Sequence, residues 1–207
     1  RMIKERGLRV LGYMYRGPRQ LTTSKRQVRT AADVKGLKIR VPEIAPMVAT
    51  WKALGASPTP MAWPEVFTGL QQGTIEGQEN PLEAIVSTKL WEVQKFLTLT
   101  THVRVAWIVV IDERLWKRMT PETQQTMTTT WREVSADMEK QILASEQKYL
   151  DEIKSHGVTV VEPDVESFRQ GVKDVWREIA PKAWGAGTYE RIQAALRGVF
   201  NTRTGLA

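Results

Sequence analysis

Residues 36–81 read GLKIRVPEIAPMVATWKALGASPTPMAWPEVFTGLQQGTIEGQENP, and this stretch decides the fold. Leu37, Ile39 and Val41 alternate with Lys38 and Arg40, the period-two pattern of a strand, and the pattern stops at Pro42. Ala45 to Leu54 mixes apolar and small residues and stops at Gly55, which predicts a helix. A second helix is expected over roughly Trp63 to Gln72, closed by Gly73. Thr74 to Gly77 then reads as a short strand leading into Gln78, Glu79 and Asn80. Polar residues placed where strands end fit an open α/β sheet, whose ligands sit beyond the carboxyl ends of the strands.

Arg40 stands out in this stretch. On an amphipathic strand it can be a plain solvent-facing arginine. Near the strand end, before Pro42 and Glu43, it can also be an anion clamp. A guanidinium offers a planar fork that fits a carboxylate with two hydrogen bonds, a geometry lysine cannot copy. Glu43 either pairs with Arg40 or accepts hydrogen bonds from ligand hydroxyls. Pro58, Pro60 and Pro64 stiffen the link between the two helices, and Trp63 at that junction reads as a core aromatic or as a cleft wall against a carbon skeleton. Asn80 can donate and accept at once, which suits a carboxylate or hydroxyl. It can equally cap a helix starting at Pro81.

Upstream, Leu8 to Tyr13 reads as a short strand, Arg16-Gly17-Pro18-Arg19 as a turn, and Gln20 to Ser24 as a strand leaving the first domain. Thr30 and Asp33 have capping-box spacing. Downstream, Lys89 to Phe96 reads as helical, Thr98 to Thr101 as the start of a strand, and Val105 to Ile111 as a buried strand of the other domain. His102 and Arg104 then fall at a crossover between domains. Pro121 to His156 is the longest helical pattern, with Thr120 as N-cap. Met127, Trp131, Val134, Met138, Ile142, Tyr149 and Ile153 share one face, a stripe too short for a coiled coil. Val158 to Val161 follows as a strand. Val165 to Ile179 and Tyr189 to Phe200 are expected as separate helices, parted by Pro181 and a glycine turn.

The chain has 207 residues, a formal charge of +7 and no cysteine. Disulfides, thiolate metal sites and cysteine nucleophiles are excluded. The basic residues are spread, not gathered on one helix, which argues against a nucleic-acid module. No histidine is placed with a serine and an acid for hydrolysis, and no metal-ligand spacing is present. Arg1-Met2-Ile3-Lys4 does not open a signal peptide.

The motifs GLKIRVPE, GASPTPMAW-x-EV, LQQG and EGQENP, in this order, resemble the substrate-binding proteins of TRAP (tripartite ATP-independent periplasmic) transporters. Upstream GPRQLTTSKR and downstream EVQKFLTLTTH also match. The resemblance implies a two-lobed α/β periplasmic binding protein of type II-like form, with a long helix across both lobes. It also implies that the N-terminal third is absent and the first lobe incomplete, so that Val105 to Ile111 keeps an exposed edge or apolar face. On that basis residues 1–16 and 106–145 are expected in the first lobe, and residues 17–105 and 146–207 in the second.

The same resemblance implies an extracytoplasmic receptor for a small organic acid, hydroxylated or a sugar acid, with its signal peptide removed. Arg40 and Arg19 would take the carboxylate, Asn80 would add a hydrogen bond, Glu43 would read hydroxyls, and Trp63 would pack on the carbons. Membrane subunits of the transporter would be the protein partners, with no cofactor, metal or nucleic acid. The alternative is a small α/β enzyme acting on an acidic substrate, for which Glu43 and Glu79 are the available acid–base candidates.

Overall fold

The computed structural model describes residues 5–195. In chain order the strands are β1 (Leu8–Thr23), β2 (Lys38–Val41), β3 (Ser57–Pro60), β4 (Gly77–Pro81), β5 (Phe96–Asp112) and β6 (Thr159–Val161). The α-helices are α1 (Ala45–Ala53), α2 (Val66–Gln71), α3 (Leu82–Ser87), α4 (Glu113–Arg118), α5 (Pro121–Ser155) and α6 (Val165–Trp184). The chain forms two compact units. Unit one takes the chain up to Lys25 and Glu79–Val161; unit two takes Arg26–Gln78 and the chain from Glu162 onward.

Unit two is organised around β2. It runs parallel to β3, pairing Arg40 with Thr59, and parallel to β4, pairing Arg40 with Gln78. Parallel strands are covered on both faces. That is why Ile39, Arg40 and Val41 are all buried, where plain alternation puts Arg40 in solvent. The segment read as a proline-stiffened link is β3 itself. It lies at the sheet edge, where Pro58 and Pro60 cost no ladder bonds. Helix α1 buries Trp51 and packs against α6. Asp33 accepts from the Thr30 backbone N–H at 2.8 Å, so the expected capping box is present.

Unit one is a long antiparallel ribbon. β1 and β5 pair from Leu8↔Asp112 to Thr23↔Phe96. The expected turn at Arg16–Arg19 is not a turn. The register shifts between Tyr15 and Gly17, so the Gly-Pro signal is absorbed as a bulge in a continuous strand. Thr98–Thr101 and Val105–Ile111 are likewise one strand, and Arg104 faces Pro18 in the ladder instead of crossing between units. The pairing along β1 and β5 keeps both strands whole in unit one. The two compact units meet in sequence at 25/26, 78/79 and 161/162. Nor is Val105–Ile111 buried: Ile108 is 49% exposed opposite Tyr13 at 62%, an apolar face of the expected kind.

Helix α5 is continuous over 35 residues, about 50 Å at roughly 1.5 Å per residue. The Thr120 hydroxyl caps it, accepting from the Thr123 N–H at 3.2 Å. Within unit one it packs along β1 and α3. A Cβ on Gly12 would come within 2.3 Å of Trp131 Nε1, so the strand meets the helix there at its backbone.

Other expectations change in detail. Lys89 to Phe96 holds only a short 3₁₀ turn, Leu90–Glu92, because Lys89 is left-handed (φ 50°) and Phe96 already belongs to β5. Pro181 does not end α6, which continues to Trp184 and stops at Gly185 (φ 91°). Residues 188–195 are helical; the last five residues of the helix expected over Tyr189–Phe200 lie outside the described residues.

Candidate functional site

Among the described residues, each unit carries one buried arginine. In unit two, β2 delivers Arg40 with only 4% of its surface exposed. Its Nε donates to the Met61 carbonyl at 2.9 Å. Its guanidinium carbon lies 5.4 Å from the centroid of the Trp63 ring, within cation–π range. Trp63 opens the 3₁₀ turn Trp63–Glu65, so the loop after β3 supplies both the carbonyl and the ring. The guanidinium is thus held in one plane by a hydrogen bond on one side and an aromatic face on the other.

In unit one, Arg19 and Glu79 form a two-pronged ion pair. Arg19 Nε donates to Glu79 Oε2, Nη2 donates to Oε1 at 2.9 Å, and Nη2 also donates to the Glu79 carbonyl. Nη1 takes no part in that pairing. A third group joins through an irregularity in β5. Between the pairs Arg19↔Val103 and Leu21↔Thr98, residues 99–102 stand opposite Gln20 alone. Thr101 there adopts a left-handed φ of 45°, a conformation that strains a β-branched residue. The Gln20 side chain pins it: Oε1 accepts from the Thr101 N–H at 2.8 Å and Nε2 donates to its hydroxyl at 3.3 Å.

The looped-out segment carries His102 to Glu79, with Nε2 at 2.9 Å from Oε2 and Nδ1 at 2.7 Å from the Thr100 hydroxyl. Burial alone would raise the Glu79 carboxyl. The hydrogen bonds from His102 and Arg19 outweigh it and hold the carboxyl below its ordinary range.

Arg40 and Trp63 are brought together. Glu43 is exposed beyond β2 and makes no ion pair with Arg40. Arg19 is buried, but its fork is engaged by Glu79. Gln78, Glu79 and Asn80 do not follow a strand; they lie inside β4 and are buried. Asn80 does not cap the next helix, since Pro81 occupies the N-cap position of α3 without a side-chain bond. His102 is a partner of Glu79, not a crossover residue. The Arg19–Glu79–His102 cluster was not legible because its members are remote in sequence and the β5 irregularity has no glycine or proline to mark it. Among the described residues no cluster of His, Asp and Glu fits a metal ion, and no helix is long and apolar enough to cross a membrane.

Comparison with known proteins agrees with this architecture. Residues 1–183 match the family model DctP, described as bacterial extracellular solute-binding protein, family 7. The 2,3-diketo-L-gulonate-binding periplasmic protein YiaO of Escherichia coli is 40% identical over 159 residues, 77% of this chain and 48% of that protein. A TRAP periplasmic solute binding protein of Roseobacter denitrificans, solved with L-galactonate, is 38% identical with a TM-score of 0.78, over 84% of this chain and 58% of that one. One from Polaromonas, solved with D-erythronate, is 37% identical with a TM-score of 0.84, over 93% of this chain and 62% of that one. The chain spans about half the length of the curated relatives it matches. The relatives are named as binding proteins and not as enzymes. By this match the chain belongs to the family 7 extracellular solute-binding proteins, the DctP family of TRAP substrate-binding proteins.

Proposed function

We propose that the chain serves as a periplasmic receptor for a hydroxylated monocarboxylic or sugar acid and delivers it to the membrane subunits of a TRAP-type transporter. The observation that carries this reading is Arg40, a buried arginine fixed by the Met61 carbonyl and the Trp63 ring. A cation immobilised in that way is preorganised for a planar anion and loses little freedom when one binds. Arg40 takes the carboxylate, and Trp63 packs on the adjoining carbons. Arg19 and Asn80 supply hydrogen bonds, and Glu43 accepts from hydroxyls. The relatives solved with L-galactonate and D-erythronate support an acid bearing several hydroxyls. Binding is reversible and leaves the ligand unchanged; it acts by favouring one conformational state over another.

A thermal-shift screen against aldonates, uronates and dicarboxylates tests this reading. A ligand at about 100 times its Kd stabilises the chain by roughly 2.7 kcal/mol. One class of hydroxy acid should raise the melting temperature with no change in the acid on incubation. Turnover of the acid, or no shift with any organic acid, would sink it.

A further inference from the structure

We propose that the open edge of β5 pairs with the same edge of a second copy of this chain, antiparallel about a two-fold axis at Ile108, so that Arg104 of each copy faces Asp112 of the other. The inference stands on unit one alone and does not draw on the ligand reading.

The edge follows from the ladder. β6 covers β5 only over Phe96–Thr98. From Val103 to Asp112, β1 takes one edge of β5, and among the described residues no strand takes the other. Every β5 residue in that run has a partner in β1, and the register shifts leave Leu11 and Arg16 of β1 without a ladder partner. The bulges are therefore on β1, and β5 stays regular. Sheet edges are ordinarily blunted by proline, lysine, bulges or shortness. Val105–Ile111 reads VAWIVVI, with no proline, glycine or charge. Its β-branched and aromatic residues favour pairing. The unpaired N–H and C=O groups of such an edge are a template for another strand. Ala106, Ile108 and Val110 share one face and are exposed.

The charges at the two ends of this run select the partner and the register. Antiparallel self-pairing is isologous: each copy offers the same edge, and the contact closes at a dimer. With the axis at Ile108, Ala106 meets Val110, Trp107 meets Val109 and Arg104 meets Asp112, each pair formed twice. An axis at Val109 would set Arg104 against Arg114, and an axis at Trp107 would set it against Val110. Opposite charges directly across a ladder stabilise it and like charges oppose it, which favours the axis at Ile108. Both charged groups are available. Arg104 is exposed and enters no ion pair among the described residues. Asp112 uses Oδ1 to accept from the Arg114 and Leu115 N–H groups at the start of α4. Its Oδ2 lies 3.6 Å from Arg114 Nη2, on a side chain 93% exposed, and is open to a second guanidinium.

Sedimentation equilibrium of the 207-residue chain tests the proposal, with a concentration-dependent monomer–dimer equilibrium expected. Arg104→Asp and Asp112→Arg each set like charges across the ladder twice, so each alone should dimerise roughly tenfold more weakly than wild type. Mixed together, the two variants should form a heterodimer, because opposite charges then meet again. Asp112→Arg also removes the cap of α4; should it not fold, cross-linking decides. The chain has no cysteine, so the two thiols introduced by Ile108→Cys would face each other and should oxidise to a covalent dimer. Tyr13→Cys, on the same face one strand inward, places its thiols three strand spacings apart, about 14 Å, and should not cross-link. A monomer at every concentration, aggregates with no discrete dimer, charge variants that dimerise like wild type, or cross-linking through Tyr13→Cys would overturn the proposal.

Discussion

Arg19 of β1 and Glu79 of β4 are 60 positions apart in sequence and form a two-pronged, buried ion pair. Removing one member of such a pair strands the other charge. Glu79→Leu or Arg19→Met alone should cost about 3–5 kcal/mol of stability. The double replacement should cost clearly less than the sum, because no charge is left unpaired. Urea unfolding of the two singles and the double measures this cycle. Additive losses would mean that the two side chains do not interact.

The same pair sets an acid limit on stability. The folded Glu79 carboxyl lies below its unfolded value of about 4.3, so its contribution is present above that pH. It is lost as pH falls through the lower, folded value. Wild-type stability should therefore decline from about pH 4 downward, and Glu79→Gln should flatten that part of the curve. A variant that declines as steeply as wild type would remove Glu79 from the cause.

Glu146 of α5 behaves in the opposite sense. It is half-buried beside Gly17, where a Cβ would lie 2.9 Å from its Oε1, and burial raises its carboxyl. A raised carboxyl favours the folded state when protonated, so its penalty grows as pH rises through and above the unfolded value. Glu146→Gln should be more stable than wild type at neutral pH, and the gap should close near pH 4. Thermal melts across that range check the sign.

Some of this was legible in the sequence and some was not. The period-two run at Leu37–Val41 and the apolar stripe from Met127 to Ile153 were dense local signals, and both elements are where those signals put them. The ribbon of β1 and β5 is hidden from a local reading, because Gly17-Pro18 marks a turn locally while its ladder to Val105 and Arg104 is a long-range fact. Arg40 and Trp63 lie in neighbouring motifs of one stretch, and the fold brings them into contact. Glu43 is near Arg40 in sequence, and the chain past Pro42 leaves it exposed. Glu79 and His102 could not be linked from sequence, since only the β5 irregularity opposite Gln20 brings them together.

Gly12 marks the closest approach of β1 to α5. A methyl group there would overlap the Trp131 ring, 2.3 Å from Nε1 and 2.5 Å from Cδ1. Gly12→Ala should cost about 1–3 kcal/mol, as overpacking does. Trp131→Leu in the same chain should recover part of that loss. If Gly12→Ala is neutral by chemical denaturation, the helix and strand are less closely packed than the geometry states.

On the proposed reading Arg40 is an anion clamp and not a buried structural arginine. Its Nε bond to Met61 and its stacking on Trp63 fix the plane of the fork. Calorimetric titration of wild type, Arg40→Ala and Arg40→Lys with the acid found by thermal shift tests this most directly. Truncating one partner of a buried charge pair costs about 2–5 kcal/mol, so Arg40→Ala should weaken binding roughly 30-fold or more. Arg40→Lys should recover little of it, because an ammonium cannot copy the planar fork. Wild-type affinity in Arg40→Lys would mean that Arg40 is not the clamp.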